Sequence, residues 1–369
     1  MILSVTTCGT SIFTNMASGD DRSFLTDSAN KLQNEYSGDD ISRLQSIAQQ
    51  RRKFMLHERD EVNLRKKSAE LNGLIGYYRK NGFDPKNHSH LLICSDTYQG
   101  ELAAQVIQDW GKSNGYNMTI YKVPDLNTRD LELFRFGINN LVDWCEEIIT
   151  GYRSSKYKVI FNLVGGFKIL QGYMQTLGMF YADESVYIFE GSDKILSIPR
   201  MPIDFSENFK AKLKDNINLV RTLKWKSLKN SECAGIPEAM LEIIGDECTL
   251  STWGKLMFNR TRDEIYSERL LPSPTRLIKY SEKTERIAKD LDKGRRVELN
   301  TKIDDLAYFL EVGRRQPTSS LDLKALKGNP KPPSTHEFDL WSNKDVWRGY
   351  GYFDNVTFII NEIGDALHN

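Results

Sequence analysis

Over the N-terminal half, short apolar runs rich in β-branched residues alternate with longer stretches whose apolar positions recur every three or four residues. Ile2 to Thr7, His90 to Ser95, Asn117 to Val123, Lys156 to Leu163 and Ser185 to Glu190 read as buried strands. Ile195 to Ile198, ended by Pro199 and Pro202, adds a hairpin partner. Between them, Glu61 to Lys80 carries a helical stripe through Val62, Leu64, Leu71, Leu74, Ile75 and Tyr78 and stops at Asn81-Gly82. Helices are also predicted over Glu101 to Gly111, Asp130 to Thr150 and Lys168 to Tyr181, and residues 17 to 57, polar and charged, read as inserted helices and loops. Such alternation predicts an α/β fold with a doubly wound, mostly parallel, Rossmann-like sheet.

The pattern then changes. Asp204 to Lys229 is charged and helical, with Leu213, Ile217, Val220 and Leu223 on one side. Helical pieces follow at Pro237 to Ile244 and Leu250 to Asn259, with Arg260, Arg262 and Arg269 making a basic side. This predicts a helical connecting region. The last quarter reads as a small α+β domain: a strand at Arg276 to Tyr280, a helix capped by Ser281, and a second helix over Leu299 to Glu311. A basic turn from Leu323 to Gly328 and a proline-rich loop lead into three strands, His336 to Trp341, Val346 to Phe353 and Val356 to Glu362, the last pair joined at Asp354-Asn355. The expected boundaries are 1–203, 204–274 and 275–369.

Composition narrows the function classes. A chain of 369 residues exceeds what one core usually supports. The formal net charge of zero gives no global field towards nucleic acid or an anionic membrane, so any nucleic-acid contact must be a local patch. Five cysteines, odd in number and without C-x-x-C spacing, predict reduced thiols in a cytoplasmic protein and no zinc ribbon. No apolar run approaches the roughly 18 residues of a membrane span. No metal or redox cofactor is expected, and the lack of G-x-G-x-x-G after the first strand argues against a dehydrogenase.

Candidate chemistry lies at strand ends. Asn162-Leu-Val-Gly-Gly-Phe-Lys168 reads as a phosphate cradle, because Gly165 and Gly166 allow close backbone approach, the next helix begins with unpartnered amides, and Lys168 adds charge. The first strand ends in Gly9-Thr10-Ser11 with Asn15 shortly after, and another in Ser95-Asp96-Thr97 with Gly100. Each turn alone is equally well a tight turn or a helix cap. In a parallel sheet, all three open on the same edge, where ligands bind.

These three motifs, in this order and spacing, resemble the CARF domains of type III CRISPR systems, which bind cyclic oligoadenylates across a homodimer interface. The resemblance covers about the first 200 residues. It implies that Gly9, Thr10, Ser11, Gly165, Gly166 and Lys168 line the phosphate ring and that Ser95, Asp96 and Thr97 face ribose or base edges, within motifs that also hold Asn162 and Gly100. Cyclic tetra-adenylate is the commonest activator of such sensors. Some CARF domains also cleave their ligand, which would implicate Ser11 and Lys168; Val164 stands where relatives often carry threonine and removes a hydroxyl from the turn.

The C-terminal pattern, with a strand, two helices, a basic Leu-Lys-Gly turn and then strands carrying Trp347-Arg348, resembles the RelE and HigB superfamily of mRNA interferases. Together the two resemblances imply a CRISPR-associated fusion in which cyclic oligoadenylate switches on a metal-independent endoribonuclease that cuts mRNA on the ribosome. Arg348 would grip phosphate, and Lys324 and Lys327 would hold RNA backbone. Strand alternation puts Phe338 and Leu340 on the core side and Glu337 and Asp339 towards the cleft, so either carboxylate is a candidate general base, with His336 and His368 as alternatives. Two other readings stand beside this one: a ligand-responsive DNA reader using the middle region, and a ring nuclease.

Overall fold

The computed structural model describes residues 1–189, 194–313, 321–328, 330–343 and 345–367. His368, one of the residues implied by the resemblance, lies outside them. The chain divides into two compact units, with the boundary between Asp204 and Phe205.

In the first unit, six strands are β1 (Ile2–Thr7), β2 (Ser89–Cys94), β3 (Asn117–Lys122), β4 (Lys158–Asn162), β5 (Glu184–Ile188) and β6 (Ile195–Pro199). They lie in the order β3-β2-β1-β4-β5-β6, all parallel except β6, which runs antiparallel to β5. The expected mostly parallel α/β sheet is present. All six residues of β1 are buried, as its apolar run requires for a strand covered on both faces. The chain leaves β1 for β2 on one side and reaches β4 on the other, so the order reverses at β1. A crevice is expected at the carboxyl ends of β1 and β4.

Two helices differ from the sequence pattern. The stretch from Glu61 to Lys80 is broken into Glu61–Lys67 and Ala69–Asn81, because Ser68 leaves helical geometry and its hydroxyl accepts the Leu71 amide at 3.2 Å. A serine side chain competes with the backbone for that amide, and the periodicity of the apolar positions does not register the break. The predicted helix over Asp130 to Thr150 runs as an α-helix only from Leu131 to Trp144, then passes through a wider turn at Cys145–Ile149. Residues 17 to 57 form the helices Gly19–Asp27 and Gly38–His57, the second burying Leu44, Ile47 and Met55.

The second unit holds two sheets. One is antiparallel, with β7 (Leu228–Lys229), β8 (Leu241–Ile244) and β9 (Glu247–Leu250) in the order β7-β9-β8. The connecting region is therefore not purely helical, and the helix expected over Pro237 to Ile244 is replaced by one 3₁₀ turn, Glu238–Met240, followed by β8. The β-branched pair Ile243-Ile244 favours a strand, and Gly245 with φ of +64° turns the chain into β9.

The other sheet contains β10 (Ile278–Tyr280), β11 (Lys324–Ala325), β12 (His336–Trp341), β13 (Trp347–Asp354) and β14 (Thr357–Asp365), ordered β10-β14-β13-β12-β11. Helices Glu282–Asp290 and Lys293–Val312 pack on it through Ala288, Leu299, Ile303 and Leu306 against Phe338, Leu340, Phe358 and Ile360. The second of these helices starts six residues before the predicted Leu299 because Asp292 caps it, accepting the Arg295 amide at 3.0 Å. Fully buried Arg221 joins the two sheets' surroundings: its Nε lies 2.6 Å from Asp304 Oδ1, and Nη1 donates to the Pro272 carbonyl at 2.7 Å.

Candidate functional site

At the carboxyl ends of β1, β2 and β4 the three turns surround one cavity of about 280 Å³. Its wall includes Gly9, Thr10 and Ser11 after β1, Ser95, Thr97 and Gly100 after β2, and Gly165 and Gly166 after β4. Four other residues of those motifs stand apart. Asn15 is exposed at the end of the short helix Ser11–Thr14, and Lys168 is exposed as the first residue of the helix Lys168–Tyr181, next to the lining residue Phe167. The Asp96 carboxylate turns aside to the Asp125 amide, 3.2 Å away, and to Lys122. Asn162 is fully buried beneath the floor, donating through Nδ2 to the Glu70 carbonyl at 2.9 Å.

The turns are fitted to one another with little room. A Cβ on Gly9 would come within 3.0 Å of Gly166 Cα, and Gly166 has φ of +90°, so both positions need glycine. Thr7 donates its hydroxyl to the Gly165 carbonyl at 2.6 Å, and Gln171 Nε2 adds a second donor at 3.2 Å, which fixes that peptide. Thr97 caps the helix Tyr98–Ser113 by accepting the Gly100 amide at 3.1 Å, and Ser95 Oγ lies 2.9 Å from Thr97 Oγ1. By contrast the helix Lys168–Tyr181 has no side-chain cap, since Phe167 offers no acceptor. Its first-turn amides are unpartnered within the helix and favour an anion.

Glu70 is the residue that periodicity did not single out. It is fully buried in the first turn of the helix Ala69–Asn81. Its carboxylate accepts the Gly9 amide at 2.8 Å, the Ser11 hydroxyl at 2.9 Å and the Ser68 hydroxyl at 2.8 Å. Burial, and then Glu70, hold the neighbouring Cys8 thiol well above its ordinary pKa, so it is no nucleophile at neutral pH. All five cysteines are free and buried. Among the described residues no group of three or more His, Cys, Asp or Glu could hold a metal ion.

In the second unit, β12 alternates as expected, with Phe338 and Leu340 in the core. Strand register sets Lys324, Glu337, Tyr350 and Glu362 in one cross-strand row and Asp339, Arg348 and Gly364 in the next. Directly paired residues share a face, so Lys324, Arg348, Glu337 and Asp339 stand together on the side away from the core. Arg348 Nε lies 3.1 Å from Asp339, and Lys324 Nζ contacts Asp322 and stands 3.8 Å from Glu337. Lys331 extends the cluster, 3.3 Å from Glu362 and over the Tyr350 ring at 4.2 Å. Tyr350 is buried, its hydroxyl donates to the Asp365 carbonyl at 2.7 Å, and burial first of all raises its pKa.

His336 is not brought into this cluster. Its ring packs edge-on to Phe353 at 5.2 Å and against Phe358, on the core side of the strand. Lys327 is exposed in the bend after β11.

Residues 65–201 match the model of a family described as CRISPR-associated protein (Cas_APE2256). Over that stretch the chain resembles a CRISPR-associated protein. The match takes in Glu70, the Ser95 to Gly100 turn and the Asn162 to Lys168 turn. No curated protein matches the chain. Among the described residues no helix is long and apolar enough to cross a membrane.

Proposed function

We propose that this chain is an endoribonuclease of type III CRISPR defence, activated by cyclic oligoadenylate. The observation that carries the reading is the convergence of three strand-end turns on one cavity, two of them inside the stretch that matches a CRISPR-associated family. A cavity of about 280 Å³ is at the small end of ligand pockets, roughly 300–1,000 Å³. It suits one part of a cyclic oligonucleotide better than a whole ring, which favours a ring shared between two copies of the chain. Moving an equilibrium from about 1:99 to 99:1 takes about 5.5 kcal/mol of differential binding. A ring held by two cavities is a plausible source of that energy.

The reaction proposed is attack of an RNA 2′-hydroxyl on the adjacent phosphodiester in mRNA bound to the ribosome. Glu337 or Asp339 takes the 2′-proton, and the P–O5′ bond breaks as the new P–O2′ bond forms. Arg348, with Lys324 beside it, neutralises the charge that builds on the phosphoryl oxygens. The 5′-oxygen leaves with a proton taken from solvent water. Tyr350 and Lys331 complete the face, Lys331 as a further contact for RNA backbone.

A DNA-reading role for the middle region is less well supported. The tip of the β8–β9 hairpin carries Glu242, Asp246 and Glu247 around exposed Ile243 and Ile244, a surface that repels phosphate. The test of the proposed function is cleavage of mRNA by the full chain with and without cyclic tetra-adenylate. Ligand-dependent cuts that vanish in Arg348→Ala support it; ligand binding without cleavage in any setting removes the nuclease.

A further inference from the structure

Glu70 lies at the junction of two of the cavity's three turns. It takes the Gly9 amide and Ser11 hydroxyl, and its Oε1 stands so close to Gly165 that a Cβ there would be 2.5 Å away. The Ser11 oxygen is engaged twice, since it also accepts the Ala69 amide at 3.3 Å. Among the described residues no lysine or arginine pairs with the carboxylate. A buried charge without a counter-ion is costly unless its lone pairs are satisfied, and here three donors satisfy them. The consequence concerns the ligand. Two donors that the Gly9-Thr10-Ser11 turn would offer to a phosphate, the Gly9 amide and the Ser11 hydroxyl, are already held by an anion inside the protein.

We propose that Glu70 is a specificity-determining residue that admits singly charged phosphodiesters to the cavity and rejects doubly charged phosphate monoesters and polyphosphates. The proposal rests on the activator reading above in naming a cyclic diester as ligand. With Glu70 behind the β1 turn and beside Gly165, a phosphate is directed to Gly166 and the uncapped amides of the helix Lys168–Tyr181. Thr10, Ser95 and Thr97 are left for uncharged hydroxyl and base edges. Each additional negative charge on the ligand meets the same buried carboxylate through a poorly screening medium, so terminal phosphates lose more than diesters. The cavity thereby separates a cyclic oligonucleotide from the nucleoside triphosphates that resemble its parts.

The test compares Glu70→Gln with the wild-type full chain by calorimetric titration of cyclic tetra-adenylate and of inorganic tripolyphosphate, after melting curves establish that the variant folds. The amide oxygen still accepts the Gly9 amide, its NH2 can donate to the Ser11 and Ser68 hydroxyl oxygens, and the charge is removed. Tripolyphosphate affinity should rise about tenfold or more in the variant, and cyclic tetra-adenylate affinity by a smaller factor. A tripolyphosphate affinity within twofold of wild type, or lower, overturns the proposal. A gain for tripolyphosphate with no binding of cyclic tetra-adenylate to either protein keeps the role of Glu70 and removes the activator reading. No anion binding to either protein removes both. Should the variant not fold, the wild type alone decides: it must bind 3′,5′-cyclic AMP, a diester, more tightly than 5′-AMP, a monoester, and the reverse order overturns the proposal.

Discussion

Arg348 and Asp339 face each other directly across β12 and β13, with the guanidinium Nε 3.1 Å from a carboxylate oxygen. Their side chains keep 19% and 34% of their exposure, so the pair is wetted and contributes only about 0–1 kcal/mol to folding. On the proposed function, the pair matters for orienting the arginine. An arginine held by Asp339 at Nε and by the Trp347 carbonyl at Nη1, 3.4 Å away, is oriented in advance for a phosphate, which Nη2 can meet. Arg348→Ala should therefore lower RNA cleavage by about 10²- to 10³-fold. Thermal melting of the same variant should move by only a degree or two.

The carboxylates separate by role. If Glu337 is the base, Glu337→Gln should lose about 10²- to 10⁴-fold in turnover with the fold intact. Asp339→Asn should then cost less, because it only releases Arg348. The reverse ranking in single-turnover assays assigns the base to Asp339. His336→Ala should lower stability through lost contact with Phe353 and Phe358 and should leave the pH profile of cleavage in place.

Gly166→Ala forces a side chain into left-handed geometry at φ of +90° and onto Thr7, whose Cβ would be 3.2 Å away. The strain is worth about 1–2 kcal/mol. Ligand affinity should fall by more than stability does, since the displaced turn forms the cavity wall. Lys168→Ala should also weaken cyclic tetra-adenylate binding while leaving the melting temperature unchanged, as an exposed lysine at a helix start adds nothing to packing. Titration calorimetry beside differential scanning calorimetry separates the two effects.

Stability of the first unit should depend on pH through His90. Burial lowers its pKa from 6.5 to about 4, with Ser4 Oγ 2.7 Å from one ring nitrogen and the Pro85 carbonyl 2.9 Å from the other. The folded state thus binds the proton less well than the unfolded chain. Its contribution is complete above about pH 6.5 and is lost progressively as the pH falls towards 4, a total of about 3 kcal/mol. Denaturant unfolding at pH 7.0 and 5.0 should show the drop, and His90→Gln should flatten it in this window, which lies above the ordinary carboxylate range.

Much of the N-terminal unit was readable from sequence because a buried parallel strand announces itself as a β-branched run and the helices between carry clear stripes. The meeting of Gly9, Thr97 and Gly166 around one cavity followed from a single topological fact, that parallel strands open on one edge. Glu70 was hidden because an acidic residue in the first turn of an amphipathic helix reads as a favourable partner of the helix dipole. Only the path of β1 brings Gly9 and Ser11 to it. The pairing of Arg348 with Asp339 was hidden for a related reason: alternation tells which face a residue takes, while its neighbour depends on register, here offset by irregularities after Asp339 and Tyr350. The strand β8 falls within a stretch whose pattern reads as helix, because a four-residue strand is too short for its period to show.

On the proposed function, occupation of the N-terminal cavity switches on RNA cleavage at the Arg348 face. This switch is tested most directly by mapping cuts in mRNA in a purified translation mixture, with and without cyclic tetra-adenylate, with and without ribosomes, for wild type and Arg348→Ala. Cuts are expected only when ligand, ribosomes and Arg348 are all present. Cuts of equal yield without ligand, or an Arg348→Ala variant as active as wild type, would contradict the proposed switch.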